Sequence, residues 1–198
     1  FKDVDVIFTS LPNGESQKIA NKLLKKNIMI DLSADFRLTN AKIYNKYYGI
    51  KHISLNNLKK SIYGLTEINK KNLSKGKIIA CPGCYPTSIL LPLFPLIKKN
   101  LIDFKNIVID SKSGFSGAGR GVHKKFKNKN LYGSTSAYGI SSHRHNAEIQ
   151  QELSYIKKNI EFTFTPHILP MFRGILSTIY LNYKSKSRGK SYFDPITL

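Results

Sequence analysis

Residues 4–32 read VDVIFTSLPNGESQKIANKLLKKNIMIDL and place a stretch of helical spacing between two short apolar segments. Residues 4–9 are rich in β-branched side chains and lead into the turn sequence LPNG at 11–14, which is typical of a buried strand. Residues 16–26 carry Ile and Leu on one side of a helix, and residues 28–32 are again strand-like. This order predicts a βαβ unit and therefore a parallel sheet.

The second half of the chain predicts a different architecture. Residues 77–80 predict a strand, and the apolar residues 87–97 predict a helix with Pro86 in its first turn, although Pro92 and Pro95 leave its end open. Three later strands are predicted, at 107–110, 162–167 and 176–181. We therefore expect the α/β class, with a parallel-sheet domain at 1–85 and an α+β domain at 86–198.

The composition is that of a globular protein. With 198 residues, 41% of them hydrophobic, the chain can bury a core in one or two domains. No apolar run approaches the length needed to cross a bilayer, and Phe1 is not followed by a leader sequence. Two cysteines are too few for a disulfide framework. We expect a cytoplasmic protein without a membrane partner.

The net charge of +20 raises the question of a polyanionic partner. Lysine supplies 27 of the 32 basic residues, and these lysines are spread along the chain instead of forming one patch. Scattered lysines are typical of solvated faces. We therefore expect no nucleic-acid partner, and a basic nucleic-acid-binding module is kept as the alternative.

Cys84 is the candidate nucleophile. It stands at the predicted turn from strand to helix, where unpaired backbone N–H groups and the helix dipole favour a thiolate. Gly83 and Pro86 build this turn, whereas an isolated cysteine is more often a small buried hydrophobic residue. Cys81 completes a C-x-x-C pair, so a redox dithiol is also open. Because no second cysteine pair is present, we expect no metal site.

A cysteine nucleophile needs a proton acceptor and donor, usually a histidine. His143 and His145 flank Arg144, and Glu148 follows closely, which makes this polar cluster the candidate. The two histidines would share a face on a strand and diverge at the start of a helix. Structural roles are expected for the other histidines, which are His52, His123 and His167.

The segment at 113–120, SGFSGAGR, is rich in glycine. Glycine allows a ligand to approach backbone N–H groups closely, and Arg120 can bind an anion through two parallel hydrogen bonds. The segment therefore suits a phosphate group, with an ordinary flexible turn as the alternative.

Seven stretches of the chain resemble, in the same order, the family of N-acetyl-gamma-glutamyl-phosphate reductase, a relative of aspartate-semialdehyde dehydrogenase. They are LPNG at 11–14, IDLSADFR at 30–37, YGLTE at 63–67, PGCYPT at 82–87, KSGFSGAGR at 112–120, HRHNAEI at 143–149 and PMFRGI at 170–175. The family's glycine-rich turn after its first strand and its C-terminal part are not recognisable, so we expect a partial sequence of a longer protein.

The resemblance implies an oxidoreductase of arginine biosynthesis. With NADP(H) as cofactor, it would reduce N-acetyl-L-glutamyl 5-phosphate to N-acetyl-L-glutamate 5-semialdehyde, releasing phosphate through a thioester on Cys84. The closely similar aminoadipyl-phosphate reductase of lysine biosynthesis remains an alternative. Residues 1–85 would then belong to a Rossmann-type dinucleotide domain, and 86–198 to a catalytic and dimerisation domain of the semialdehyde dehydrogenase type. A homo-oligomer, either a dimer or a tetramer, is expected.

The resemblance also implies roles for individual residues. The acid/base falls on His143, with His145 as the second choice. Substrate contacts are expected from Arg120, Arg144, Ser116, Gly117 and Glu148. Cofactor contacts are expected near the carboxyl ends of the parallel strands, from Leu11, Pro12, Ser33, Ala34, Asp35, Pro82 and Gly83.

Overall fold

The computed structural model describes residues 3–118 and 133–184. Its elements are β1 (Val6–Thr9), α1 (Ser16–Leu23), β2 (Ile28–Asp31), α2 (Ala41–Tyr48), α3 (Leu55–Leu58), β3 (Ser61–Tyr63), α4 (Thr66–Leu73), β4 (Ile78–Ala80), α5 (Cys84–Lys98), β5 (Ile107–Gly114), a 3-10 helix (Phe115–Ala118), β6 (Ser136–Ala137), α6 (His145–Ile156), β7 (Phe162–Leu169) and β8 (Ile175–Tyr180). None of the helices in the described residues is both long and apolar enough to span a membrane.

The first sheet contains four parallel strands in the order β1-β2-β4-β3. Met29 of β2 and Ile78 of β4 are buried against Ala20 and Leu23 of α1, so the apolar side of this helix covers the central strands. The predicted βαβ unit and parallel sheet are confirmed. Because all four strands run in the same direction, the segments that follow β1, β2 and β4 meet at one edge of the sheet.

The second sheet has the order β6-β7-β5-β8. Strand β5 is parallel to β7 and antiparallel to β8, and β6 is antiparallel to β7. Helices α5 and α6 pack together on one face, where Ile89, Leu93, Ile109, Ile149 and Phe164 form part of a buried core. The expected α/β class is therefore confirmed.

The structure shows where helix α5 ends, which Pro92 and Pro95 left open in the sequence prediction. It begins at Cys84, contains Pro86 in its first turn and continues through Pro92 and Pro95 to Lys98. Proline at these positions removes backbone hydrogen bonds inside the helix. The helix persists because its apolar side, formed by Ile89, Leu90, Leu93 and Ile97, is almost completely buried in the core.

The described part of the glycine-rich segment, residues 113–118, differs from the predicted loop. Strand β5 extends through Gly114, and Phe115–Ala118 form a 3-10 helix. The N–H groups of residues 114–116 donate to the carbonyls of Gly174, Met171 and Phe172 at 2.9, 3.0 and 2.9 Å. These three N–H groups are therefore committed to the neighbouring segment and are not available to a phosphate, while the role of the rest of the segment, with Arg120 outside the described residues, stays a prediction.

Candidate active site

The turn that carries Cys84 connects β4 to α5. Gly83 is the N-cap residue of α5 and has an extended backbone, with φ −66° and ψ 159°. The Cys84 side chain is exposed. The thiol thus lies at the start of a helix and can be reached from solvent, which is the position that the sequence predicts for it.

The ionisation of this thiol differs from the sequence prediction. Although part of the side chain reaches solvent, desolvation by the surrounding protein raises the pKa of the Cys84 thiol above its ordinary value. The backbone N–H of Tyr85 and the Arg37 guanidinium lower this pKa, but they do not outweigh the desolvation. The thiol is therefore neutral at pH 7 and needs a base before it can act as a nucleophile.

His145 is the histidine that contacts the turn. It is the first residue of α6 and is buried, and its Nε2 atom lies 2.6 Å from the point that a Cβ atom on Gly83 would occupy. Burial, and next the proximity of His143, hold the pKa of His145 well below its ordinary value. Its ring is consequently neutral at pH 7 and able to accept a proton.

His143 packs beside His145. Its Nδ1 atom accepts a hydrogen bond from the backbone N–H of His145 at 3.1 Å, and the two ring centroids are 4.8 Å apart. The His143 ring packs edge-on against the rings of Tyr85, Tyr138 and Phe164. The contact with Gly83 supports His145 as a candidate acid/base beside His143, which the resemblance favours, and the choice between them stays a prediction.

Glu148 lies inside the protein instead of facing a substrate. Its side chain is fully buried, and Oε1 accepts hydrogen bonds from the N–H of Gly83 and the hydroxyl of Tyr63, both at 2.8 Å. Desolvation raises the pKa of this carboxyl group, and Arg37 acts most strongly in the opposite direction. Because no part of Glu148 reaches the surface, the prediction of a direct substrate contact is not supported.

Arg37 is a site residue to which sequence reasoning assigned no role. Its Nε atom donates to the carbonyl of Cys81 at 2.7 Å, and Nη2 donates to the carbonyl of Leu32 at 2.9 Å. Its Nη1 atom lies 3.6 Å from Oε2 of Glu148. The signal in the sequence was an arginine six residues after the end of β2, inside one of the seven stretches that resemble the reductase family.

The other predicted substrate residues lie in the 3-10 helix, beside His145, or outside the described residues. Ser116 and Gly117 belong to the 3-10 helix, and a Cβ atom on Gly117 would meet no other atom within 4 Å. Arg144 is exposed, and its guanidinium lies 5.8 Å from the centre of the Tyr48 ring. Arg120 lies outside the described residues, as does His123.

The residues predicted to bind the cofactor divide into two groups. Leu11 and Pro12 are exposed at the carboxyl edge of the first sheet, together with Leu32, which the sequence prediction omitted. Ser33 and Ala34 are buried. This edge leads through Pro82 and Gly83 to Cys84, so the exposed apolar side chains provide a surface that suits the flat rings of a dinucleotide.

Asp35 and Asp31 stabilise this edge of the sheet through buried hydrogen bonds. Both carboxylates are fully buried. Asp35 accepts hydrogen bonds from three groups, which are the N–H of Gly14 at 2.7 Å, the N–H of Gln17 at 3.1 Å and the hydroxyl of Tyr44 at 2.6 Å. Asp31 accepts from the hydroxyls of Thr9, Ser16 and Ser33. The Asp35 carboxylate therefore fixes the start of α1, and a direct cofactor contact through it is not supported.

Two semialdehyde dehydrogenase family models together match nearly the whole chain. The NAD binding domain matches residues 1–76, and the dimerisation domain matches residues 84–194. Aspartate semialdehyde dehydrogenase II from Vibrio cholerae shares the fold, with a TM-score of 0.63 over 92% of this chain and 56% of that one, at 14% identity. The Candida albicans aspartate semialdehyde dehydrogenase with NADP has a TM-score of 0.55 at 16% identity, over 91% of this chain and 51% of that one.

Curated relatives are much closer in sequence. The N-acetyl-gamma-glutamyl-phosphate reductase of Alkaliphilus metalliredigens is 47% identical over 91% of this chain and 53% of its own length. A probable chloroplastic N-acetyl-gamma-glutamyl-phosphate reductase of Arabidopsis thaliana is 47% identical over 91% of this chain and 45% of its own length. The chain thus spans about half the length of the curated relatives it matches. It belongs to the semialdehyde dehydrogenase family, within which these relatives are N-acetyl-gamma-glutamyl-phosphate reductases.

Proposed function

We propose that the chain carries the catalytic cysteine of an NADPH-dependent reductase that converts N-acetyl-L-glutamyl 5-phosphate into N-acetyl-L-glutamate 5-semialdehyde, the arginine-biosynthesis reaction. The observation that carries this proposal is an exposed cysteine at the start of α5 whose preceding residue, Gly83, contacts the buried ring of His145. The identity of 47% to two reductases supports the choice of substrate.

In this proposal His145 and Cys84 act as a base and nucleophile pair. The imidazole accepts the thiol proton, the sulfur forms a bond to the acyl carbonyl carbon, and the bond from that carbon to the phosphate oxygen breaks. A bound NADPH supplies the hydride that reduces the resulting thioester. The C–S bond then breaks to release the aldehyde, and the imidazolium returns its proton to the sulfur. Tyr85, whose ring contacts both histidine rings, keeps them in place.

We place the cofactor along the carboxyl edge of the first sheet. Leu11, Pro12 and Leu32 would contact its rings, and backbone groups at 33–34 and 82–83 would complete the path to Cys84. The NAD binding description of the family model supports a nicotinamide cofactor, and the choice of NADP follows the resemblance of the sequence to the reductase family.

The remaining assignments follow the family. We propose that residues 1–85 belong to the dinucleotide domain and that residues 86–198 belong to a catalytic domain through which copies assemble as a dimer or tetramer. The dimerisation description of the matching family model supports assembly. A cytoplasmic location is proposed because the described residues contain two free thiols, which persist in a reducing compartment.

The test uses the full-length protein and the reverse reaction. NADP+ reduction would be followed with N-acetyl-L-glutamate 5-semialdehyde and inorganic phosphate, and Cys84→Ala is expected to lower kcat by at least about 1,000-fold. Turnover of Cys84→Ala at the wild-type rate would remove the proposed mechanism. A higher kcat/KM with the aminoadipate semialdehyde would assign the lysine-pathway reaction instead.

A further inference from the structure

We propose that Arg37 and Glu148 are positioning residues that anchor the two ends of the connection into Cys84 and act on the charge at its sulfur in opposite directions. This inference rests on the proposed role of Cys84 as the nucleophile. It adds two residues to the site, neither of which meets the substrate in the reaction described above.

The first argument is the way in which the turn is anchored. Residues 81–83 connect β4 to α5, and side chains hold this connection at both ends. Arg37 binds the carbonyl of Cys81, and Glu148 accepts the N–H of Gly83. A buried N–H or carbonyl group without a partner is costly, so both contacts fix the path of the backbone into Cys84.

The second argument is that the two anchors come from distant parts of the chain and are themselves fixed. Arg37 follows β2, and its own carbonyl accepts a hydrogen bond from Nε2 of Gln151 on α6 at 2.9 Å. Glu148 lies on α6 and is held by the hydroxyl of Tyr63 at the end of β3. The turn therefore sits where the first sheet meets α6, and a shift between them would move Cys84.

The third argument is electrostatic. Nη1 of Arg37 lies only 3.1 Å from the point that a Cβ atom on Gly83 would occupy, and the same atom lies 3.6 Å from Oε2 of Glu148, so the two charges form an ion pair beside the turn. At this separation, in a mostly buried environment, each charge acts strongly on a neighbouring ionisable group. Among the described residues, other titratable or charged groups near the turn include Asp31, Tyr63, Cys81, Tyr85, His143, Arg144 and His145.

The opposite charges allow a test that separates positioning from general structural support. The full-length protein would carry Cys81→Ser, so that Cys84 is the only thiol in the tryptic peptide 78–98. The rate at which iodoacetamide alkylates Cys84 would be measured by mass spectrometry from pH 6 to pH 10. Arg37→Met removes the positive charge, and Glu148→Gln removes the negative charge while its amide oxygen can still accept the N–H of Gly83.

The expected shifts have opposite signs. Arg37→Met should raise the pKa of Cys84 and slow its alkylation at pH 7 by about three- to tenfold, whereas Glu148→Gln should speed it by a similar factor. Lys46→Met on α2 and Glu67→Gln on α4 remove the same charges from exposed positions and should leave the profile unchanged. Arg37→Lys keeps the positive charge, so Cys84 should retain its wild-type pKa in this variant. This comparison is still possible if Arg37→Met does not fold.

Shifts in the same direction, or rates within about twofold of wild type for both charge-removing variants, would overturn the proposal. The alkylation assay needs neither substrate nor cofactor. If the protein shows no reductase activity but the opposite shifts appear, the proposed reaction fails while the positioning of the Cys84 turn stands. If the reductase activity is present and the shifts are absent, only the positioning proposal fails.

Discussion

Nε2 of His145 lies 2.6 Å from the point that a Cβ atom on Gly83 would occupy, which is closer than a real Cβ atom approaches a neighbour. The residue before the nucleophile must therefore lack a side chain if the imidazole is to reach the turn. Its φ of −66° is accessible to every residue type, so the need for glycine at this position is steric and does not come from the backbone conformation.

Gly83→Ala is expected to displace the imidazole from the turn and to lower kcat/KM by about 100-fold, because misplacement of a catalytic group by about 1 Å has an effect of that size. Steady-state kinetics of the full-length enzyme would measure the loss. Gly133→Ala is the matched control, since a Cβ atom there would meet nothing within 4 Å. Wild-type kinetics for Gly83→Ala would show that the imidazole is not needed at this distance.

The second prediction concerns the C-x-x-C pair formed by Cys81 and Cys84. Cys81 is held through its backbone, because its N–H donates to the carbonyl of Asp31 and its own carbonyl accepts from Arg37. Its thiol has no part in the proposed reaction, so Cys81→Ser should keep kcat within about threefold of wild type, while Cys84→Ser should lose at least about 1,000-fold. A large loss in both variants, with a disulfide detected in the wild type by mass spectrometry, would instead favour the redox dithiol.

The sequence predicted β1, β2 and β4 of the first sheet, because each is a short run rich in β-branched residues, but it missed β3, which has three residues and lies in a polar stretch. It predicted the end of β5 poorly. This strand continues four residues further than expected, as far as Gly114, because it pairs with β7 on one side and β8 on the other. Such pairing partners lie more than 50 residues away, so local patterns carry no information about them.

The site shows the same division between local and long-range causes. The position of Cys84 at a helix start follows from its neighbours in sequence and could be predicted. The ionisation of the thiol could not, because it depends on the protein packed around the sulfur and on Arg37, which is brought in by the fold. The inward orientation of Glu148 likewise depends on Tyr63, which is 85 residues away.

Asp35 provides a third prediction, which separates a structural role from a cofactor contact. Removing its carboxylate by Asp35→Ala would leave the donors of Gly14, Gln17 and Tyr44 without their acceptor. We expect the free energy of unfolding to fall by about 3 kcal/mol or more, because each buried donor left unsatisfied costs about 1–3 kcal/mol. Urea unfolding of the full-length protein would measure this loss.

Tyr44→Phe is the graded control for that experiment. It removes one of the three donors to Asp35 and should lower the free energy of unfolding by about 1 kcal/mol. If Asp35→Ala had wild-type stability but a strongly weakened affinity for NADPH, Asp35 would be a cofactor-binding residue instead.

Glu152 lies one turn after Glu148 on α6 and lines a cavity of about 670 Å³ between α4, α5 and α6. Burial raises the pKa of Glu152 to about 7, and Glu148 adds to the increase, while the hydrogen bond from Nε2 of Gln151 opposes it. The folded state therefore holds a proton that the unfolded state releases near pH 4.5. This contribution to stability is complete below that pH and is lost as the pH rises through about 7.

Glu152→Gln should remove this pH dependence, because an amide stays neutral and its oxygen can still accept from Gln151. We expect the variant to exceed the wild type in free energy of unfolding by about 1–3 kcal/mol at pH 8 and to approach it at pH 4 to 5. Urea unfolding at a series of pH values would show the difference growing between those limits. Glu67→Gln, at an exposed position on α4, should give no such trend. A constant difference across the whole pH range would mean that Glu152 is ionised in the folded protein at pH 5.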